Sequence, residues 1–251
     1  KTKNTVTDFD SNVRVIDMVT GTGFTMSGYP VRSLFSFDFQ GLNEDGVPTF
    51  INESGQVTTS DIYFQEYNEK SHLVYEGSID PTITGSFGNV FTYKNFKLNV
   101  FMTYAFGNVI RLDPVFKSSY SDLTAMPKEF KNRWTVQGDE LITNVPVIAD
   151  KRLLNNDSYL SYAYNAYNYS TERVAKGDFI RMKEISLTYD FPAKLIQPLK
   201  LSALSLKLQA TNLFLIYSDK KLNGQDPEFY NSGGVASPMP KQFTLTLRLG
   251  I

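Results

Sequence analysis

Side chains able to do chemistry are few in this chain, and they are scattered. His72 is the single histidine among 251 residues, so a Ser–His–Asp triad or a histidine metal site would have to be built around it. It lies among Glu69, Lys70 and Ser71 and reads as a solvated loop residue. Cysteine is absent, which excludes disulfides, zinc–thiolate sites and cysteine nucleophiles. Asn43, Glu44 and Asp45 ahead of Gly46 offer oxygen ligands, but no bidentate Glu completes a calcium loop, so they read as a polar turn. Gly21-Thr22-Gly23 lacks the Lys-Ser/Thr that would complete a phosphate loop. The acidic residues scatter across loops, and no pair stands out as a glycosidase acid and base. The expectation is a chain that is not an enzyme and holds no metal or cofactor. One oddity remains: Tyr159, Tyr162, Tyr164, Tyr167 and Tyr169 crowd a short tract. Tyrosines offer large stiff faces for substrate or a protein partner. The same rings could instead fill a small core inside a folded loop.

The elements that must carry these residues are strands. Phe243, Leu245, Leu247, Leu249 and Ile251 alternate with Thr244, Thr246, Arg248 and Gly250, a strict period of two. Leu204, Leu206, Leu208 and Ala210 alternate with Ser205, Lys207, Gln209 and Thr211. Ile185, Leu187, Tyr189 and Phe191 alternate with Glu184, Ser186, Thr188 and Asp190 until Pro192, which has no N–H to donate. Residues 81–107 read as a hairpin about Lys94-Asn95, with Phe96, Leu98, Val100, Met102, Tyr104 and Phe106 on one face of its second arm. A weaker strand covers about 31–40 and another about 2–9, for about seven in all. Long polar stretches fill 41–80, 108–176 and 217–240, and loops of that length are usually functional or disordered. A short helix is predicted near 121–134, capped by Ser121, with Pro127 in its first turn and Phe130 and Trp134 on one face.

Composition agrees with an all-β protein. Aromatics make up 14% of the residues, while hydrophobic residues are an ordinary 41%. The longest apolar run, Leu213–Tyr217, is far short of the roughly 20 residues a membrane helix needs. A net charge of −1 gives no surplus for nucleic acid.

Short and long connections alternate, so one end of the sheet is thin and the other thick, as in outer-membrane barrels. With the C-terminal strand running down, Phe91, Tyr93, Phe96, Tyr189 and Phe191 fall at a lower rim. Tyr104, Phe106, Phe214, Tyr217 and Phe243 fall at an upper one. Aromatic girdles around an aliphatic band are what a lipid-facing wall needs. The opposite face then looks into a lumen, and Arg181, Lys183, Lys207, Gln209 and Arg248 lie on it. An open-edged sheet cannot sit in lipid, because each unpaired backbone polar group costs several kcal/mol there. The remaining strands are therefore expected outside this chain, which would form about the C-terminal third of a barrel.

Several short motifs recur in a telling order: Gly28-Tyr29-Pro30, Gly41-Leu42 with Asp45-Gly46, Tyr93-Lys94-Asn95-Phe96, Phe179-Ile180-Arg181-Met182-Lys183, Ala210-Thr211-Asn212-Leu213-Phe214, Asp226-Pro227-Glu228 and Pro240-Lys241-Gln242-Phe243. From about Gly28 to Ile251 the chain resembles the C-terminal part of SusC/RagA-type TonB-dependent transporters. The resemblance implies a segment of a large outer-membrane barrel of a Gram-negative bacterium, with a plugged lumen. It also implies import of glycans or peptides, a SusD-like surface lipoprotein as lid, and TonB acting through a plug outside this chain. On that reading the Tyr159–Tyr169 tract touches substrate or lid, and the lumenal residues face the plug. Such barrels usually end in an aromatic residue, whereas this chain ends in Ile251. A soluble carbohydrate-binding β-sandwich is the competing expectation, and it would stack Leu206, Val100 and Leu247 in a sealed interior.

Overall fold

The computed structural model describes residues 1–9, 12–67, 70–117, 126–150, 154, 159–230 and 239–251. Twelve strands are formed among them. Five make one antiparallel meander, in the spatial order β12 (Gln242–Gly250), β11 (Ala203–Ser218), β10 (Phe179–Asp190), β7 (Phe96–Phe106) and β6 (Ile83–Tyr93). These are the strands with period-two sequences, and their boundaries fall within a few residues of those expected. Between β6 and β7 lies the Lys94-Asn95 turn, with Lys94 at a φ of 51°. Residues 191–202, which join β10 to β11, hold only the short helix Ala193–Ile196 and a 3-10 turn. Both tight connections lie at one end of the sheet. Both long ones, 107–178 and 219–241, lie at the other.

At that upper end the chain builds a second body, a cap. Its strands are short: β1 (Ser33–Phe37) with β5 (Leu73–Ser78), β2 (Phe39–Leu42) with β3 (Pro48–Ile51) and β4 (Val57–Thr58), and β8 (Val109–Arg111) with β9 (Val174–Lys176). The expected strand at 31–40 is thus two strands belonging to the cap. All five β1 residues are buried, on both faces. Residues 1–9 form no strand. They run alongside Gly28 and Tyr29, exchanging two backbone bonds through Val6, each 2.9 Å.

One apolar cluster holds the cap: Val15, Met18 and Val19 of the helix Val15–Val19, Phe35 and Phe37 of β1, Phe50 of β3, and Ala163, Ala166 and Tyr167 of the helix Leu160–Asn168. His72, expected in water, is only 6% exposed and its ring stacks on Phe37 at 5.8 Å. The start of β5 draws it beneath β1. Ser121 and its neighbours lie outside the described residues. Among the described residues of the predicted helical region a 3-10 turn forms, Lys128–Asn132; Phe130 packs on the cap core. Trp134 covers Gly46 instead.

Gly46 has a φ of 73°, and a Cβ there would come within 2.5 Å of the Trp134 ring. We expect Gly46→Ala to cost the cap about 2 kcal/mol or more, from left-handed backbone strain plus overpacking. Hydrogen exchange of cap amides together with Trp134 fluorescence would read this. Unchanged protection would refute it.

Candidate functional site

Cross-strand register assigns each side chain of the meander to a face. Leu98, Leu187, Leu208 and Leu245 are directly opposite one another in sequence across four strands, and Val100, Ile185, Ala210 and Phe243 form the next row. No element of the described residues covers this outward face. Leu245 and Leu247 are 66% and 59% exposed. Leu206, Val100 and Leu247 therefore share an open face, not a sealed interior.

Aromatic residues lie at the two ends of these rows. Tyr93, Phe96 and Tyr189 line up across three strands, with the Phe96 and Tyr189 rings 4.7 Å apart. Phe91 is one row higher, and Phe191 packs edge-on against Tyr189. At the other end, Tyr104 and Tyr217 flank Ile180, Phe214 stands opposite Met182, and Phe106 opposite Ile83. The Tyr104 ring lies over Gly85, filling the gap that glycine leaves in the wall. Phe243 departs from the expected upper rim. It pairs with Ala210 in the middle of the ladder, because β11 runs several residues past the start of β12.

The opposite face is polar. Glu184 lies at its centre, accepting from Asn99 Nδ2 at 3.1 Å and from Gln209 Nε2 at 3.1 Å, with Lys207 Nζ 3.8 Å away. Lys97 pairs with Asp190 at 2.7 Å, and Arg248 is opposite Ser205. Lys183 occupies a bulge, the extra residue between the paired Met182 and Glu184. Lys207, Gln209 and Arg248 thus share the polar face.

Arg181 needs a correction: it lies on that face but does not look into open space. It is 3% exposed and donates to both Asp226 carboxylate oxygens, at 2.6 and 2.7 Å, with Glu228 at 3.1 Å. A buried guanidinium requires such partners. The segment 219–230 supplies them by folding down over the upper part of the face.

Two clefts result. A lower one of about 670 Å³ lies between sheet and cap, bordered by Thr103, Phe179 and Lys183 of the wall and by Pro227, Glu228 and Tyr230 of the cap. An upper one of about 450 Å³ lies within the cap, bordered by Asp113, Lys128, Glu129, Arg173, Lys221 and, again, Tyr230. Tyr230 divides them. Its hydroxyl accepts from the Asp113 amide at 3.0 Å, and burial pushes its pKa up to about 12. Arg173, 3% exposed, pairs with Glu129 at 2.6 Å and donates to the Asp113 carbonyl.

The tyrosine tract divides by helical phase. Tyr164 and Tyr167 are 1% and 0% exposed and cannot touch substrate or lid. Tyr164 packs on Phe116, and Tyr167 lies in the cap core with its pKa raised by burial. Tyr169 is partly buried against Phe64. Only Tyr159 and Tyr162 present open faces, their rings 6.5 Å apart. The helix turns its small and aromatic residues inward at spacings of three and four, which the crowding of tyrosines concealed.

Two buried groups had escaped the sequence reading. Arg111 donates to the carbonyls of Ser170, Val19 and Phe35 at 2.7, 3.2 and 2.7 Å, joining three segments, and burial lowers its pKa to about 10. Asn168 accepts from the amides of Val115 and Phe116 and donates to the Phe116 carbonyl. Neither carries a local signal, because their partners are 52 or more residues away.

No protein-family model matches the chain. It is 29% identical over 190 residues to the TonB-dependent receptor P39 of Formosa agariphila, covering 71% of this chain and 17% of the receptor. Its fold matches the RagAB peptide importer in an open-open state with a TM-score of 0.61 at 21% identity, over 87% of this chain and 22% of that one. A closed-closed state matches with 0.62 at 22% identity, over 89% and 23%. The chain spans about a fifth of the length of these relatives. The chain is thus similar in sequence to part of a TonB-dependent receptor and in fold to part of a peptide importer.

Proposed function

We propose that this chain forms barrel wall and cap in an outer-membrane TonB-dependent importer of glycans or peptides. Its outward rows meet acyl chains, its polar face lines the lumen, and the cap is the extracellular side where a SusD-like lipoprotein lid would deliver substrate. The supporting observation is the single-layered meander: an uncovered apolar face with aromatic rows near its ends and a hydrogen-bonded polar face behind it. The relatives' names speak for the same role, one being a receptor and the other a peptide importer. Both edges of the meander, β6 and β12, need strands beyond those described here, and the rest of the same transporter would supply them. The remaining barrel, the plug and TonB are thus the partners of this segment. Its task is to bind and pass a solute, not to transform it. Tyr159 and Tyr162 are the open faces of the tract that could meet substrate or lid.

The chain has no cysteine, so spin labels at Leu247→Cys and Arg248→Cys report neighbouring positions cleanly within it. In the whole transporter in lipid vesicles, the label at 247 should be accessible to oxygen and shielded from a water-soluble nickel chelate. The label at 248 should show the reverse. Equal access to the chelate at both would point to a soluble sheet.

A further inference from the structure

The lower cleft carries groups that neither the wall nor the cap needs. The bulge in β10 gives the polar side two consecutive residues: Glu184, which Asn99 and Gln209 hold, and Lys183, which borders the cleft. Lys183 has no ion-pair partner among the described residues. The carboxylate of the lining is Glu228. One of its oxygens takes Arg181 Nη2 at 3.1 Å, but that nitrogen already gives shorter bonds to both oxygens of Asp226, and the Glu228 side chain is 42% exposed. The other cation, Arg32, is closed by Asp80 at 2.7 Å. The lining therefore has no surplus of either sign. It offers one ammonium and one half-solvated carboxylate, which do not pair with each other.

Asn108 adds a neutral group. It is 9% exposed, and its Oδ1 has no hydrogen-bond partner among the described residues. Its backbone carbonyl takes the Gly177 amide at 2.9 Å, and a Cβ at 177 would collide with its Nδ2, so the side chain is pinned at the border of the cleft. A buried amide left unpaired costs stability, and such a group calls for a partner from outside the fold. The apolar border consists of Ile79, Pro81, Ala105, Ile110 and Pro227. Phe179 and Tyr230 are 8% and 7% exposed, so neither gives an open ring face to a sugar.

We infer that the lower cleft is a binding site for short peptides with both ends free. Lys183 receives the terminal carboxylate and Glu228 the terminal ammonium. Asn108 takes a peptide unit between them, whose N–H and C=O match the oxygen and the NH2 of its side chain. A dipolar ligand of no net charge answers a dipolar lining of no net charge, and a neutral glycan has neither end to offer. The inference rests on the importer reading and deepens it, because it names one class of solute and the three residues that read it.

The test uses the whole transporter in detergent, with alanine peptides of two to five residues as probes, each with free ends, N-acetylated, C-amidated or blocked at both ends. At the best length the free peptide should bind about tenfold more tightly than the doubly blocked one, as hydrogen bonds to charged groups allow. Lys183→Gln should remove the gain from the free carboxylate and keep the gain from the free ammonium. Glu228→Gln should do the reverse. Unchanged binding of the doubly blocked peptide in both variants shows that the cleft is intact. Asn108→Ala should weaken all four forms alike. The inference is overturned if the native protein binds no peptide of the series, or binds free and blocked forms equally at every length. It is overturned equally if Lys183→Gln or Glu228→Gln weakens all forms alike, since neither residue would then read an end. Maltotriose binding more tightly than every peptide would sink it too, by assigning the cleft to a neutral glycan. Spin-label accessibility at 247 and 248 reads the importer role independently, so either idea can fail without the other.

Discussion

Asp226→Ala should release the segment 219–230 from the upper part of the wall, at a cost of about 3–5 kcal/mol to that region. The side chain is fully buried and both its oxygens bind Arg181. Truncation leaves a guanidinium that is 3% exposed with Glu228 alone, a partner that is itself half in water. An uncompensated buried charge is what makes breaking such a pair far worse than never having had it. The double substitution Arg181→Met with Asp226→Leu should therefore recover most of the loss, since it removes both charges and keeps the volume apolar. Trypsin offers a direct reading in the whole transporter: Lys220 and Lys221 stand on a 3-10 turn in this segment. Rapid cleavage there in Asp226→Ala, and resistance in the double variant, is the expected pattern. Native-like resistance in Asp226→Ala would show that the segment is held elsewhere. Since Pro227, Glu228 and Tyr230 roof the lower cleft, loosening them should also widen it.

The same ion pair shows how far the sequence can be read. A wall strand has one environment on each side along its whole length, so hydrophobicity repeats every two residues. β7, β10, β11 and β12 were visible on that ground alone, with the face of Lys207, Gln209 and Arg248. The cap obeys no such rule. Its core collects Val15, Phe37, Phe50 and Tyr167 from stretches scattered over most of the chain. β1 is buried on both sides and so shows no alternation in burial. His72 looked solvated because its immediate neighbours are polar; the Phe37 ring that covers it comes from another strand. The alternation puts Arg181 on the polar face, but its partner is 45 residues away in a stretch that reads as plain polar loop. Phe243 was misplaced for a simpler reason. The lengths of β11 and β12 differ, and only the pairing register sets which rung a residue occupies.

Leu245→Arg separates the lipid-facing wall from every water-facing alternative by the size of one effect. Leu245 lies on the outward face in line with Leu208, Leu187 and Leu98, one row above that of Phe96 and Tyr189, and is 66% exposed. If that exposure were to water, an arginine there would change stability by no more than about 0.5 kcal/mol, as surface substitutions usually do. Against acyl chains the charge loses its hydration with no partner to replace it. The cost should then be about 1–3 kcal/mol, below the midplane value because the residue stands one row above the lower aromatic rim. Thr246→Arg is the matched control: the adjacent residue on the same strand, pointing to the polar face beside Lys207. It should be tolerated within about 0.5 kcal/mol. Reversible urea unfolding of the whole transporter in vesicles measures both. Two small, equal effects would exclude the membrane wall, because the two positions differ in little except the solvent each side chain meets.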